Sequence, residues 1–274
     1  MRPAEIDVVD ALVEKYCTEP DSVLSAHLSV AVAFLTDQAA QHAGRRQQYR
    51  NQVLSVRVGT AVGSCSIEPG SVDPAMVFDC AGAPVERLLR HESRAVRIAV
   101  LDAYLAFTRP HRDDPRCEAL RLTPGDSLSR SMQRAHHVTG LVPVVPGERV
   151  LVVGVVNSLL ACLRERGVHY VACDLRGGRT EWDEPIVTDF TSALPTCDAV
   201  LATGMMLGNG TFGTLCDAAT SAGTPITVFA QSGSAVAREL LGGAVHSLSA
   251  EPYPFFWLTG DGGEMYLYPG ENPR

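Results

Sequence analysis

Three short stretches set small, conformationally free or hydroxyl-bearing residues where an apolar strand runs into a helix. The first is Gly154-Val-Val-Asn157-Ser-Leu159, followed twenty residues on by Asp174. An acid at that spacing across a strand–helix–strand unit accepts hydrogen bonds from a ribose in dinucleotide-binding folds. Here the turn holds one glycine where a pyrophosphate-binding turn holds three, and two β-branched valines stand where bare backbone is needed. A diphosphate cofactor is therefore disfavoured. A nucleoside-type ligand such as S-adenosylmethionine stays open, beside the plainer reading of an acid that caps a turn or meets solvent. The second stretch is Thr203-Gly204-Met-Met-Leu-Gly208-Asn209-Gly210-Thr211. Its glycines permit positive φ and close approach, and a glycine loop ahead of a helix offers backbone N–H groups to an anion or carboxylate; the plainer reading is a turn in which Asn209 or Thr211 caps the helix. The third is Gln231-Ser232-Gly-Ser234, a turn of small polar residues. It lacks the order of a nucleophile elbow, so a serine hydrolase built on Ser232 or Ser234 with His169 or His246 is disfavoured.

Other candidates are weaker. Asp102 interrupts an otherwise apolar helical run (Ile98, Ala99, Leu101, Leu105). A buried carboxylate is costly unless paired, so Asp102 either faces a cleft or pairs with Arg94 or Arg97. His136 and His137 are adjacent on a helix and point about 100° apart, so sharing one metal ion is disfavoured; one of them as a single ligand stays open beside the plainer reading of surface or hinge histidines. Asp113 and Asp114 read as solvated loop acids. The eight cysteines (Cys17, Cys65, Cys80, Cys117, Cys162, Cys173, Cys197, Cys216) show no zinc-knuckle spacing, and are expected to be reduced and mostly buried. No nucleophile, acid–base pair or metal constellation stands out.

The elements that must position these residues change character near residue 140. The first 140 residues carry a net charge of −1 and the rest −7. Leu141-Val-Pro-Val-Val-Pro-Gly-Glu148 is a proline-broken linker. Before it, a helix is expected from Pro3 through Ile6, Val9, Leu12, Val13 and Tyr16, ended by Thr18-Glu-Pro-Asp-Ser22. Strands are expected over 27–36, 52–60 and 74–80. Helices are expected over 84–92, 93–107 and 127–138, with a polar loop over 109–126. After the linker, apolar runs alternate with helical stretches. Arg149-Val-Leu-Val-Val153 reads as a buried parallel strand. A helix over 155–166 stops at Gly167. Further strands run from His169 to Cys173, from Asp198 to Thr203 and from Pro225 to Ala230, with a helix from Thr211 to Ala222 between the last two. The expected class is α/β: a Rossmann-like parallel sheet with helices over 141–274, preceded by a smaller α+β domain over 1–140. Ligands of such sheets bind outside the carboxyl ends of the strands.

The composition is globular, 46% hydrophobic and 20% charged, with a net charge of −8 that argues against a nucleic-acid partner. No run reaches the ~20 apolar residues of a membrane span. Met1-Arg-Pro-Ala-Glu-Ile-Asp7 carries acids where an export signal needs a basic and then apolar stretch. A cytoplasmic protein without membrane or nucleic-acid partners is expected. The apolar stretch Pro252-Tyr-Pro-Phe-Phe-Trp257 packs either as core or as the contact of a homo-oligomer such as a homodimer.

The run Cys197-Asp-Ala-Val-Leu-Ala-Thr-Gly-Met-Met-Leu-Gly-Asn-Gly-Thr-Phe212 resembles the motif of a heavy-metal-chelation family of unknown function. Ile226 to Ser234 is similar to that family's next strand and small-residue turn, and Gly154 to its first strand-end glycine. The resemblance implies an enolase-amino-terminal-like front domain and a Rossmann-like rear domain with a ligand site between them. It also implies a link to metal or metal-chelator handling. The helix Arg97–Tyr104 is similar to a family helix that usually carries asparagine where Asp102 stands. Asp102 and the Gln231–Ser234 turn thus depart from the pattern. Two functions follow as expectations. One is a small-molecule-binding protein of metal or chelator handling. The other is an enzyme of specialised metabolism using an adenosyl cofactor. A non-catalytic oligomeric scaffold is the plain alternative. The expected ligand-binding set is Gly154, Asn157, Asp174, Thr203, Gly204, Asn209, Gly210, Thr211, Ser232, Ser234 and Asp102, with S-adenosylmethionine or a metal ion as the possible cofactor.

Overall fold

The computed structural model describes residues 7–18, 27–258 and 262–270. The expected helix start at Pro3 and Ile6, and the Glu19–Ser22 stop, lie outside them. Helix α1 (Val8–Thr18) buries Val9, Leu12, Val13, Tyr16 and Cys17 on one stripe. Strands β1 (Val30–Gln41), β2 (Gln48–Val58) and β3 (Ala61–Ile67) form an antiparallel sheet. β3 pairs only with Gln52–Val58. The remainder of β1 and β2, closing at Gln41↔Gln48, therefore projects as a two-stranded arm, and both strands run further than the expected spans.

Strand β3 escapes sequence reading because Ala-Val-Gly-Ser-Cys-Ser-Ile lacks large alternating residues. Its small residues serve packing. A Cβ on Gly63 would stand 2.0 Å from the backbone nitrogen of Ala103, so helix α4 (Arg94–Thr108) lies directly on the strand. The third expected strand, 74–80, is instead helix α2 (Pro74–Cys80). Asp73 accepts from Ala75 N–H at 2.8 Å, with proline at the first turn. Asp-Pro is a helix start, and that local signal outweighs the β-branched residue inside the segment. Helix α3 (Val85–Leu89) follows.

The expected loop over 109–126 holds a short 3-10 turn at His111–Asp113 and strand β4 (Glu118–Arg121). Helix α5 (Ser127–Gly140) starts on Asp126, which accepts from Ser129 N–H at 2.8 Å. The rear elements are β5 (Arg149–Val153), α6 (Asn157–Glu165), β6 (His169–Cys173), α7 (Phe190–Ala193), β7 (Ala199–Thr203) and α8 (Met205–Asn209). They continue as α9 (Phe212–Ala222), β8 (Ile226–Ala230), α10 (Ser234–Arg238), β9 (Ser247–Ala250) and β10 (Glu264–Tyr268).

The fold is mixed α/β. Seven strands form one sheet in the order β4-β10-β9-β8-β7-β5-β6. β6, β5, β7, β8 and β9 are parallel, and β10 runs antiparallel to both of its neighbours, β9 and β4. Alternate residues of β5 serve two cores. Leu151 and Val153 join α4, α9 and α10, whereas Val150 and Val152 join α5 and α6. Helices thus cover both faces, as a parallel sheet requires. All eight cysteines are free, seven of them buried and Cys117 half-buried. Phe255 and Phe256 of the apolar tail stretch are buried. No helix among the described residues is long and apolar enough to cross a membrane.

Asp102 does not line the cavity between the two sheets and pairs with neither Arg94 nor Arg97, although Arg238 acts on its carboxylate from further off. Asp102 is 4% exposed. Its Oδ2 accepts from Ser64 N–H of β3 at 2.8 Å, and its Oδ1 from Ala235 N–H of α10 at 2.7 Å. Gly233 N–H donates to Ser64 C=O at 2.7 Å. One carboxylate therefore caps a rear helix and fixes a front strand. Arg94 is taken by Asp7, Asp10 and Leu207 C=O, and Arg97 by Asp10 and the His91 and Glu92 carbonyls.

Burial raises the Asp102 carboxyl to about 6, against the lowering pull of the backbone donors. Its folded value lies above its unfolded one, so its contribution to stability is full below pH ~4 and is lost as pH rises through about 6. Asp102→Asn turns an amide NH2 toward one of two buried N–H donors. The expected loss is about 1–3 kcal/mol. Denaturant titrations should show the gap to wild type narrowing between pH 4 and pH 7.

Candidate functional site

A cavity of ≈ 340 Å³ lies between the two sheets. Its rear wall is the carboxyl edge of the parallel strands. Gly154 after β5, Asp174 after β6, Thr203 at the end of β7 and Ser232 after β8 all line it, with Asn209 and Thr211. Numbered from β5, the parallel strands run second, first, third, fourth, fifth, so the chain reverses direction across the sheet between β5 and β7. Such a switch point opens a crevice in doubly wound sheets.

The front wall is one face of the antiparallel sheet. Val53 pairs with Ser66 and Thr36, Asn51 with Gln38, and Tyr49 with Ala40. Alternation puts these residues on the face opposite Leu54, Val56 and Val58, which belong to the core shared with α4. The arm tip reaches the rear wall's side of the cleft. Arg45 forms an ion pair with Glu181, and His42 Nδ1 meets Ser127 Oγ at 2.8 Å.

Each expected site residue has a definite place. Asn209 Oδ1 accepts from both Thr211 N–H (3.1 Å) and Thr211 Oγ (2.7 Å), and Gly210 takes φ +77. The Asn-Gly-Thr segment is thus an Asx turn that starts α9. The expected open loop over 203–211 holds helix α8, because Thr203 Oγ accepts from Met205 N–H at 3.4 Å. Its glycines serve contact. A Cβ on Gly204 would stand 2.7 Å from Ser232 O, and one on Gly208 would stand 2.2 Å from Ser66 O. Gly204 and Gly210 do not line the cavity, nor do Asn157, Ser234 and Asp102. Ser234 Oγ is buried 3.3 Å from His111 Nε2, whose Nδ1 meets Tyr268 OH at 2.7 Å. Burial holds that imidazole down at about 3. Asn157 begins α6, and its Oδ1 is buried without a partner among the described residues. Its backbone N–H is directed at the Tyr49 hydroxyl.

Asp174 Oδ1 accepts from Arg176 N–H at 3.0 Å, and Oδ2 from Val155 N–H at 3.4 Å. No cation stands within ion-pair distance of it among the described residues. Gly154 has φ +88, and a Cβ there would stand 2.5 Å from Thr203 Cγ2.

Sequence reading missed the buried pair Arg134–Glu251. Arg134 Nε donates to both Glu251 oxygens at 2.7 and 2.5 Å, with side chains 4% and 5% exposed. Gln231 Nε2 adds a contact to Glu251 at 3.4 Å. The available signal was Arg130, Arg134 and Val138 at helical spacing. The front-wall residues Tyr49, Asn51 and Ser66 carried no motif.

A bare metal ion does not fit this donor set. No group of three or more His, Cys, Asp and Glu placed to hold a metal occurs among the described residues. Cys173 lines the cavity, but burial raises its thiol to about 11, away from the thiolate a soft metal needs. His136 and His137 do not line it.

The family-model match falls on the rear wall. Residues 137–227 match DUF364. The family is described as "Putative heavy-metal chelation", and the matched stretch contains Gly154, Asp174 and the Thr203–Thr211 segment. A DUF364 protein of unknown function from Desulfitobacterium hafniense shares the fold, with TM-score 0.62, 16% identity, and coverage of 95% of this chain and 96% of that one. A second DUF364 protein of unknown function, from Pyrococcus horikoshii, has TM-score 0.52, 14% identity, and coverage of 94% and 98%. At these identities the likeness is one of fold. No curated protein matches the chain.

Gly154→Ala should destabilise the fold by about 1–3 kcal/mol through positive φ and the Thr203 collision. In a Thr203→Ser background, which removes Cγ2, the same change should cost less. Chemical denaturation of the four proteins of the cycle measures the coupling.

Proposed function

We propose that this protein binds a small organic molecule in the cleft between its two sheets, and that its tie to heavy metals runs through an organic chelator. The observation that carries this reading is the ≈ 340 Å³ cavity at the switch point, walled by both sheets. Its size suits a compact ligand. Amides and hydroxyls (Gln38, Asn51, Ser66, Asn209, Thr211, Ser232) face apolar groups such as Val155, Met206 and Phe255 around it. That mix suits an organic molecule, and the described residues hold no group of three metal-ligating side chains for a naked ion.

A second reading rests on Asp174. Its carboxylate stands beside the Gly154 turn, lines the cavity and has acceptor capacity left over. That arrangement suits a ribose, and so an adenosyl cofactor such as S-adenosylmethionine. The single-glycine turn argues against a diphosphate.

Native mass spectrometry and elemental analysis of untagged protein test the first reading. The expected outcome is an organic adduct and less than one metal per chain. A full equivalent of metal without organic mass overturns it. For the second, S-adenosylmethionine should raise Tm in the wild type and not in Asp174→Ala. An unshifted wild type removes that reading.

A further inference from the structure

Ser66 sits at the inner end of the front wall, where β3 meets α8, and lines the cavity. It is 5% exposed, and its Oγ has no hydrogen-bond partner among the described residues. The neighbouring hydroxyl on the same face is satisfied, since Ser64 Oγ meets Ser55 Oγ at 2.8 Å. Buried polar groups in native folds are nearly always paired, and an exception calls for an explanation. The fold does not need this hydroxyl, because the strand and the α8 contact are made by Ser66's backbone.

Charge on the cavity wall points to the kind of molecule that would pair with it. Each arginine lining the cavity already faces a carboxylate: Arg134 faces Glu251 at 2.5 Å, Arg50 faces Asp37 at 3.1 Å and Arg176 faces Glu68 at 3.9 Å. Burial and Arg45 lower His42 from the usual histidine value, against the pull of Asp126 and Glu181, which disfavours its charged form. Asp174 is the lining carboxylate left without a cation among the described residues. Each of its oxygens has one bond from a backbone N–H and room for another donor. An anionic ligand would find no uncompensated positive charge there, whereas hydroxyl donors would find open acceptors.

We propose that Ser66 is a ligand-contacting residue and that the cleft selects an uncharged molecule bearing vicinal hydroxyls. The proposal rests on the cleft reading above and adds the ligand's charge class and a contact from the amino-terminal sheet. A ribose and a catechol share this chemistry, and the probes separate them.

Calorimetric titration of the full chain would use adenosine against adenosine monophosphate, and catechol against 2,3-dihydroxybenzoate. Each pair differs by one anionic group. The expected result is binding of one uncharged probe at least tenfold tighter than its anionic analogue. Adenosine binding assigns the ribose source and catechol binding the aromatic one. Ser66→Ala should weaken that binding about tenfold or more. It should leave Tm of the unliganded protein unchanged or raise it by about 2 °C, because an unpaired buried hydroxyl is removed. Three outcomes overturn the proposal: tighter binding of an anionic analogue, wild-type affinity in Ser66→Ala, or a Tm lowered by more than about 2 °C. Binding of none of the four probes, with an organic adduct still present in native spectra, overturns it while the cleft reading stands. Loss of the adduct as well removes both.

Discussion

The two sheets are held in register by one buried carboxylate. Asp102 on α4 takes a backbone N–H from β3 and another from α10, while Gly233 N–H donates to the carbonyl of the same Ser64. Ionisation of a group so deeply buried is unfavourable, which is why its carboxyl lies near 6. The two donors are what make the site tolerable, and they come from opposite sides of the cleft. The relative position of front strand and rear helix is thus set by hydrogen-bond geometry as well as by apolar contact. The cavity's width depends on it, since its walls include residues two and three positions from those donors: Ser66 on β3 and Ser232 before α10.

The glycines of the segment over 203–211, inside the stretch that matches the family model, act on the same distance. Gly204 lets α8 approach the Ser232 carbonyl, and Gly208 lets it approach the Ser66 carbonyl. Gly154 lets the β5 turn pass Thr203. Asn209 and Thr211 satisfy each other and begin α9. Most of this segment therefore shapes the cleft. Polar groups line the cavity from both walls, Asp174 and Ser232 from the rear and Gln38, Asn51 and Ser66 from the front.

That division explains how much could be read from sequence. β5 to β8 are short apolar runs bounded by glycine or polar turns, and each is where the pattern puts it. β9 and β10 carry serines or tyrosines at buried positions and lie amid prolines, so periodicity misses them. β3 is built of small residues because α4 lies against it, and β4 is four residues inside a polar stretch. On the cavity wall, the positions of Gly154, Asp174 and Thr203 were legible because parallel strands expose their carboxyl ends. Tyr49, Asn51 and Ser66 were not, because their place depends on a long-range register, Val53↔Ser66 and Asn51↔Gln38. Asp102 was visible as an oddity, but its partners, Ser64 and Ala235, are 38 and 133 residues away.

The pairing of β4 with β10 joins residues 118–121 to residues 264–268. During synthesis on a ribosome, β4 emerges well over a hundred residues before its partner strand exists. Until then its N–H and C=O groups have no ladder to join, and the parallel sheet lacks its antiparallel border. A fragment starting at the linker would keep β10 yet present it as a bare edge, open to pairing with other chains. The sequence break near residue 140 is therefore a poor place to cut this molecule.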